Sequence, residues 1–494
     1  MIANSSNNES HNPTESTSLI FKPVQNPIDI EDLKTLKTSD YLEECWNIYH
    51  KSIPVSLGVI VQKMIGYISV FFIGQYFGKY ELAAASLSNM FAGITGWSLA
   101  YSMSSVLNTL CSQAFTGSSD VKLVGVYLQR GILITSMMFV PIGIVWWNTE
   151  YILNLLSVDA QLASMCGTFL RILLLGSAPY IVFNCLNNYL IAQGITTVQS
   201  YISAIVLLFH ILFNYILIVN PSTRIGFIGA PLATALSEWA MLILALLYTV
   251  FVNGYQAWGG WSRSSLNGWG PFVKMGLSNI IMTCSEWWAF EILALGASYL
   301  GIVPLASFSV VMSLIDLFYN INFGVATIAG NRVGNLIGDS MVNKAIFTTR
   351  CAFITSIFCS FLNISIFLGF KRFFASLFTQ DTDVIELAVS ILPYVACFHV
   401  FDGLSTISGF ILRGQERHNI GAIINSLGYY LISIPLGFYL AFKVHMGLSG
   451  FYTAITITLI LTSSGLIYAV NTANWNEIVQ RCKIRLNAEN QSDL

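Results

Sequence analysis

The chain is written in apolar runs of about 20 residues or more, separated by short polar, Gly or Pro clusters. A helical run of that length matches the hydrocarbon thickness of a bilayer, where a backbone must satisfy its own hydrogen bonds. The pattern predicts twelve membrane-spanning helices, at 53–76, 84–111, 124–147, 165–191, 198–219, 228–252, 272–300, 305–336, 347–369, 387–412, 420–442 and 447–470. The second and eighth exceed what a bilayer needs and are expected to tilt, kink or project beyond it. Residues 1–50, rich in Asn, Ser, Thr and Glu, are expected to form a disordered tail without a cleavable signal, and 471–494 a second polar tail.

An even number of spans puts both tails on one side. The segments on that side hold most Lys and Arg, among them Lys122, Arg263, Lys344, Arg417 and Arg481, against Lys79, Arg224, Lys371, Arg372 and Lys443 opposite. Both termini are therefore expected to be cytoplasmic. The sequons at Asn4 and Asn8 count only if the first tail is lumenal.

The pattern also repeats. At a constant offset of 221 residues, Gly117 falls on Gly338, Gly226 on Gly447, Gly229 on Gly450 and Ala233 on Ala454. Because six spans is an even number, the two units share one orientation and are related by an axis along the membrane normal. The expected fold is an all-α polytopic membrane protein with two six-helix lobes, 51–252 and 272–470, and the pathway between them. The connector at 253–271 carries Trp258, Trp261 and Trp269, which suit headgroup depth.

Composition agrees: 55% of residues are apolar and 10% charged, with a mean hydropathy of +0.66. A net charge of −2 offers no basic face for nucleic acid. The nine cysteines contain no CxxC pair and read as packing residues, so neither a metal nor a cofactor is expected.

Against this background the ionisable residues within spans stand out, since each costs a few kcal/mol there. Glu286 and Glu291 lie in Cys284-Ser-Glu-Trp-Trp-Ala-Phe-Glu291, with Asp316 and Asp402 further on, whereas Glu238 is the one clear acid of the first lobe's spans. The coupling site is thus expected in the second lobe, where a carboxylate in a restricted cavity can take a proton and an organic cation in turn. Glu286 and Glu291 are separated by about 140° on an ideal helix, so they do not share one narrow face. Trp287, Trp288 and Phe290 either stack on a flat cation or face lipid. His399 shares a helical face with Asp402, as a proton relay or as a packing contact. Lys63, beside Gln62, either neutralises a carboxylate across the lobes or snorkels. Asn184, Asn187, Asn188 and Gln193 give the fourth span a polar, uncharged lining.

Five landmarks then carry a family resemblance. They are Gly78-Lys-Tyr-Glu-Leu82, Leu110-Cys-Ser-Gln-Ala-Phe115, Glu286-Trp-Trp-Ala-Phe-Glu291, Arg332-Val-Gly-Asn335 and Leu412-Arg-Gly414. Across residues 50–475 the chain resembles a multidrug and toxic compound extrusion transporter of the eukaryotic branch. The resemblance implies a V-shaped pair of bundles exporting organic cations, drugs or metabolites in exchange for protons. It also implies that Glu286, Glu291, Asp402 and His399 occupy positions important for transport. Asp402 stands where eukaryotic relatives often have Glu. Ser313 stands where they have an acid early in the eighth span, with Asp316 one turn later, and Gln415 and Glu416 replace smaller residues.

The expected activity is secondary antiport, not enzymatic. Protons are the coupling ion, with sodium open, and a monomer in lipid of the plasma or vacuolar membrane is expected. A lipid-linked oligosaccharide or other lipid flippase on the same architecture would need basic residues for pyrophosphate, and only Lys63 and Arg171 offer themselves. A polytopic transferase would need a DxxxD or HxxxxD motif, which is missing from the sequence. A channel would conduct rather than saturate.

Overall fold

The structure is a computed structural model describing residues 37–492; Asn4, Asn8 and most of the expected N-terminal tail lie outside the described residues. Among the described residues no strand forms. The spans are α1 (Thr38–Tyr76), α2 (79–117), α3 (Leu123–Trp147), α4 (Ala160–Ala192), α5 (Val198–Val219), α6 (Gly226–Phe251), α7 (Trp269–Ser298), α8 (Ile302–Gly338), α9 (Val342–Gly369), α10 (Thr382–Gly414), α11 (His418–Lys443) and α12 (Leu448–Asn471), followed by α13 (Trp475–Ser492). Eleven of these helices are each long and apolar enough to cross a membrane.

The twelfth, α2, is helical in pieces: a π-helical turn at Gly93–Trp97 and a break at Ser105 divide it. The causes are local. The rim of the Trp146 ring occupies the space a side chain at Gly96 would need, and serines 98, 102, 104 and 105 each donate to a carbonyl three or four residues back, a bonding mode that bends helices.

Two boundaries differ from expectation. Helix α1 begins at Thr38, inside the stretch expected to be a tail, because Glu44 finds Arg332 and Thr348 of the second lobe as partners. Residues 475–492 form α13 rather than a free tail, since Ile478, Val479, Cys482 and Leu486 are buried against the bundle.

The repeat is visible in the packing. α1 packs on α5 as α7 packs on α11, and α4 on α6 as α10 on α12. Between the lobes α1 meets α8, its counterpart α7 meets α2, and α2 meets α8. Those pairings are what a two-fold axis between α2 and α8 requires. Gly117 and Gly338, equivalent under the repeat, touch: a Cβ on Gly117 would stand 2.6 Å from the Gly338 carbonyl oxygen. Gly226 and Gly447, also equivalent, both take positive φ (80° and 57°) where their helices begin.

One apolar core is shared by both lobes at the end that carries the described chain ends, including Val106, Leu110, Val333, Ile337, Ile411 and Leu486. Toward the opposite end the second lobe has its own core, built on Leu293, Val311, Leu392 and Phe451, without first-lobe residues. Interlobe hydrogen bonds among the described residues stop at Lys63 and Tyr67 with Asp316, and at Cys284 with Ser98. The lobes are therefore sealed at one end and parted at the other, which makes a cleft. Large apolar side chains such as Leu208, Ile243, Phe358 and Phe361 remain exposed around the outside, as lipid-facing helices require.

Candidate functional site: an acidic cavity at the base of the cleft

Where the seal ends and the cleft begins, a cavity of about 40 Å³ is lined by Glu286, Thr283 and Trp287 of α7, Tyr101 of α2, Tyr319 of α8 and Arg413 of α10. That volume admits water but not a drug-sized ligand, which needs roughly 300 Å³ or more.

Glu286 reaches the cavity because it follows Thr283 by one near-turn on α7, and both point to α10. Arg413 is 5% exposed; its guanidinium donates to Thr283 Oγ1 at 3.0 Å and lies 4.6 Å from the Phe410 ring centroid. Its Nε and Nη1 have no hydrogen-bond partner. Asp402, 4% exposed with Oδ2 unpartnered, is close enough to Glu286 for the two charges to act on each other. Tyr319 stands within electrostatic reach of both, as does Tyr429. Glu286 and Arg413 thus share a cavity walled by aromatic rings, with Asp402 buried within electrostatic reach of Glu286.

The remaining candidates fall elsewhere. Glu291 is exposed, away from the cavity, as the 140° separation requires. Of the aromatic trio only Trp287 lines it; Trp288 is 38% exposed and Phe290 packs 6.3 Å from Tyr429. His399 is turned into α9, where its Nε2 lies 3.5 Å from Asn363 Nδ2 and its ring is stacked 6.5 Å from Phe367. No hydrogen bond among the described residues joins it to Asp402. Asp316 accepts an ion pair from Lys63 and a 3.4 Å hydrogen bond from the Tyr67 hydroxyl. Of the two readings of Lys63, the pair across the lobes is the one observed.

Gln62 accepts from Gln199, which in turn accepts from Asn187. Asn184 donates to the Tyr180 carbonyl of its own helix. Asn188 donates at 3.1 Å to the Ser104 carbonyl, a group freed by the break in α2. Sequence reasoning missed Arg413 as a site residue, although the signal was present: eleven positions after Asp402 is three helical turns, on nearly the same face.

The sealed end is held by interlobe polar contacts. Arg332 grips Glu44 through Nε at 2.5 Å and Nη2 at 2.6 Å. Thr109 donates to the Arg413 carbonyl and Gln113 to the Gly414 carbonyl, both at 2.9 Å. Arg485 of α13 joins Glu416 of the second lobe to Gln113 of the first, and Glu489 takes both Arg130 Nη atoms, at 2.9 and 3.0 Å.

The MatE family model matches residues 54–216 and again 279–439, one copy in each lobe. An uncharacterized transporter of Schizosaccharomyces pombe is 36% identical over 86% of this chain and 79% of its own. Multidrug and toxin extrusion protein 1 of Mus musculus is 31% identical over 92% of this chain and 80% of its own. The crystal structure of the eukaryotic MATE transporter AtDTX14 superposes with a TM-score of 0.83 at 26% identity, covering 91% of this chain and 99% of that one. The chain is a multi-pass integral membrane protein and a transporter rather than an enzyme, and it belongs to the MatE family of multidrug and toxin extrusion transporters.

Proposed function

We propose that this transporter exports organic cations or metabolites in exchange for protons, by alternating exposure of the cleft to the two sides of the membrane. The carrying observation is Glu286, half-buried beside Arg413 in the cavity at the base of the cleft, with the buried Asp402 within electrostatic reach of it. Two carboxylates within electrostatic reach of each other in a low-dielectric interior repel when both are ionised, and a buried unpaired charge costs several kcal/mol. Protons or an organic cation can relieve that cost, and they compete for the same oxygens. Competition for one site, with access from one side at a time, produces exchange.

With both termini cytoplasmic, the parted end faces outward, and the seal made by α1, α2, α8, α10 and α13 faces the cytoplasm. The substrate enters when that seal opens. Trp287, Tyr319 and Tyr101 then offer aromatic faces to a flat cation. Glu291 and Trp288, exposed further along α7, belong to the wall of the cleft rather than to its base. We place the protein in the plasma or vacuolar membrane as a monomer. A flippase for pyrophosphate-linked lipids is not favoured, because Lys63 is paired with Asp316 and Arg171 with Glu150.

The test is uptake of radiolabelled tetraethylammonium into proteoliposomes under imposed pH gradients. Wild type is expected to accumulate the cation when the lumen is acidic, and Glu286→Gln and Asp402→Asn to lose that accumulation about tenfold or more while remaining monodisperse. Absence of flux for every organic cation tried, or an unchanged Glu286→Gln, would overturn the reading.

A further inference from the structure

Glu238 of α6 is an acid that the cavity does not use. It is 7% exposed, its Oε2 is buried without a hydrogen-bond partner, and no ion pair among the described residues involves it. The spans packed on α6 are α1, α4 and α5. From α5 comes His210, whose ring nitrogens are engaged by Ser69 (3.0 Å), Asn214 (2.9 Å) and Ser237 (2.8 Å). From α1 comes Ser69, 3.3 Å from Thr234, while Lys63 of α1 is committed to Asp316. From α4 come Gly176, where an added Cβ would lie 3.6 Å from Glu238 Cγ, and Tyr180.

Among the described residues no cation therefore balances this carboxylate, and an ionised one in such a place costs several kcal/mol. It is stable only with a proton or with a cation brought to it. A glutamine would serve as well if polar packing were the whole role.

The surroundings connect Glu238 to the transport cavity. Tyr180 is within electrostatic reach of both Glu238 and Tyr101. Tyr101 lines the cavity and stands by Arg413. Tyr319, across the cavity, is within reach of Tyr101, Glu286 and Asp402. Both helices beside this path depart from regular geometry: α4 relaxes into a 3₁₀ turn at Leu174–Gly176 beneath Glu238. In α2 the π-helical turn ends at Trp97, whose ring centroid lies 4.4 Å from that of Tyr180. Such departures recur where helices flex or carry function.

We propose that Glu238 is a second proton-carrying site, in the first lobe, linked to Glu286 and Asp402 through Tyr180 and Tyr101. Each transport cycle then moves one proton on Glu238 in addition to what the second-lobe acids carry. The proton binds the carboxylate, cancels one negative charge, and leaves when the lobes change access.

This inference rests on the proton-exchange reading, and two measurements separate them. In pH-difference infrared spectra of the full-length protein in lipid, a carboxylic C=O band should appear on acidification, vanish in Glu238→Gln and persist in Glu286→Gln. A band removed by Glu238→Gln but present at every pH, or no band removed, overturns the inference. In proteoliposomes, reversal potentials give protons moved per tetraethylammonium. The expected result is one fewer in Glu238→Gln, while Tyr180→Phe keeps the infrared band but slows proton-driven exchange several-fold. If wild type ignores pH gradients, the proton-exchange reading fails. Should wild type respond and Glu238→Gln move the same number of protons, only the second site fails, and an unchanged Tyr180→Phe removes the link.

Discussion

Replacing Gly338 by alanine puts a methyl group into the seam between the lobes. The new Cβ would lie 2.5 Å from Thr116 Oγ1 and press on the Gln113 carbonyl oxygen, against about 3.3 Å for a comfortable C···O contact. The Thr116 hydroxyl cannot swing aside freely, since it donates at 2.6 Å to the Asn335 carbonyl. The Gln113 carbonyl is helical backbone and cannot move alone. Relief requires the lobes to separate by several tenths of an ångström or more, and overpacking of this kind costs about 1–3 kcal/mol.

That cost exists only while this end is sealed. The gain in helix propensity from Gly to Ala, up to about 1 kcal/mol, is present in both conformations and cancels. The population open at this end should therefore rise by about 5- to 150-fold. Spin labels at Val121→Cys and Arg350→Cys, exposed sites on opposite lobes, would read the change as a longer-distance component, with exposed Cys397 replaced beforehand. Gly369→Ala is the control, because its Cβ would meet nothing within 4 Å. Distance distributions unchanged from those of the control would refute the claim that the seam is closed by contact at Gly338.

Other perturbations follow from the same contacts. Glu44→Gln takes the charge from the partner of Arg332, whose side chain is 15% exposed; breaking such a pair costs about 3 kcal/mol, read as a lower unfolding temperature of the purified protein. Burial of Cys482 on α13 pushes its thiol up to about 11 from 9.0, so at neutral pH it carries about a hundredfold less thiolate than a free cysteine. Leu486→Asp should undock α13 and raise maleimide labelling of Cys482 by about that factor; labelling as slow as wild type would mean that the helix stays docked. Arg413→Lys keeps the charge but loses the planar contact with Phe410 and the bond to Thr283, and is expected to lower tetraethylammonium exchange about tenfold with little change in expression.

Helix limits were legible to within a few residues for most spans because a bilayer leaves a long apolar run no other way to satisfy its backbone. The departures have specific causes in side-chain packing and hydrogen bonding. The pieces of α2 come from serine side chains and a Trp146 ring that is distant in sequence. The extension of α1 comes from a partner for Glu44 located 288 residues away. Helix α13 was written in the sequence as Ile478, Val479, Cys482 and Leu486 at near-helical spacing, yet polar composition alone reads as a tail.

The site divides in the same way. That Glu286 and Asp402 are costly, and so kept for a reason, follows from their place in apolar runs. Periodicity also separates Glu291 from Glu286. Which acids meet, that Arg413 faces them, that Lys63 holds Asp316, and that His399 turns to α9 all depend on how α7, α8, α9 and α10 are rotated about their axes.

The sequence by itself determined the solvent, the number of spans, their shared orientation and the internal repeat, because these depend on run length and parity. Only the tertiary structure decided where the two lobes touch and where they part. That depends on close approach at glycines and on ion pairs between residues hundreds of positions apart, neither of which a one-dimensional hydrophobic pattern encodes.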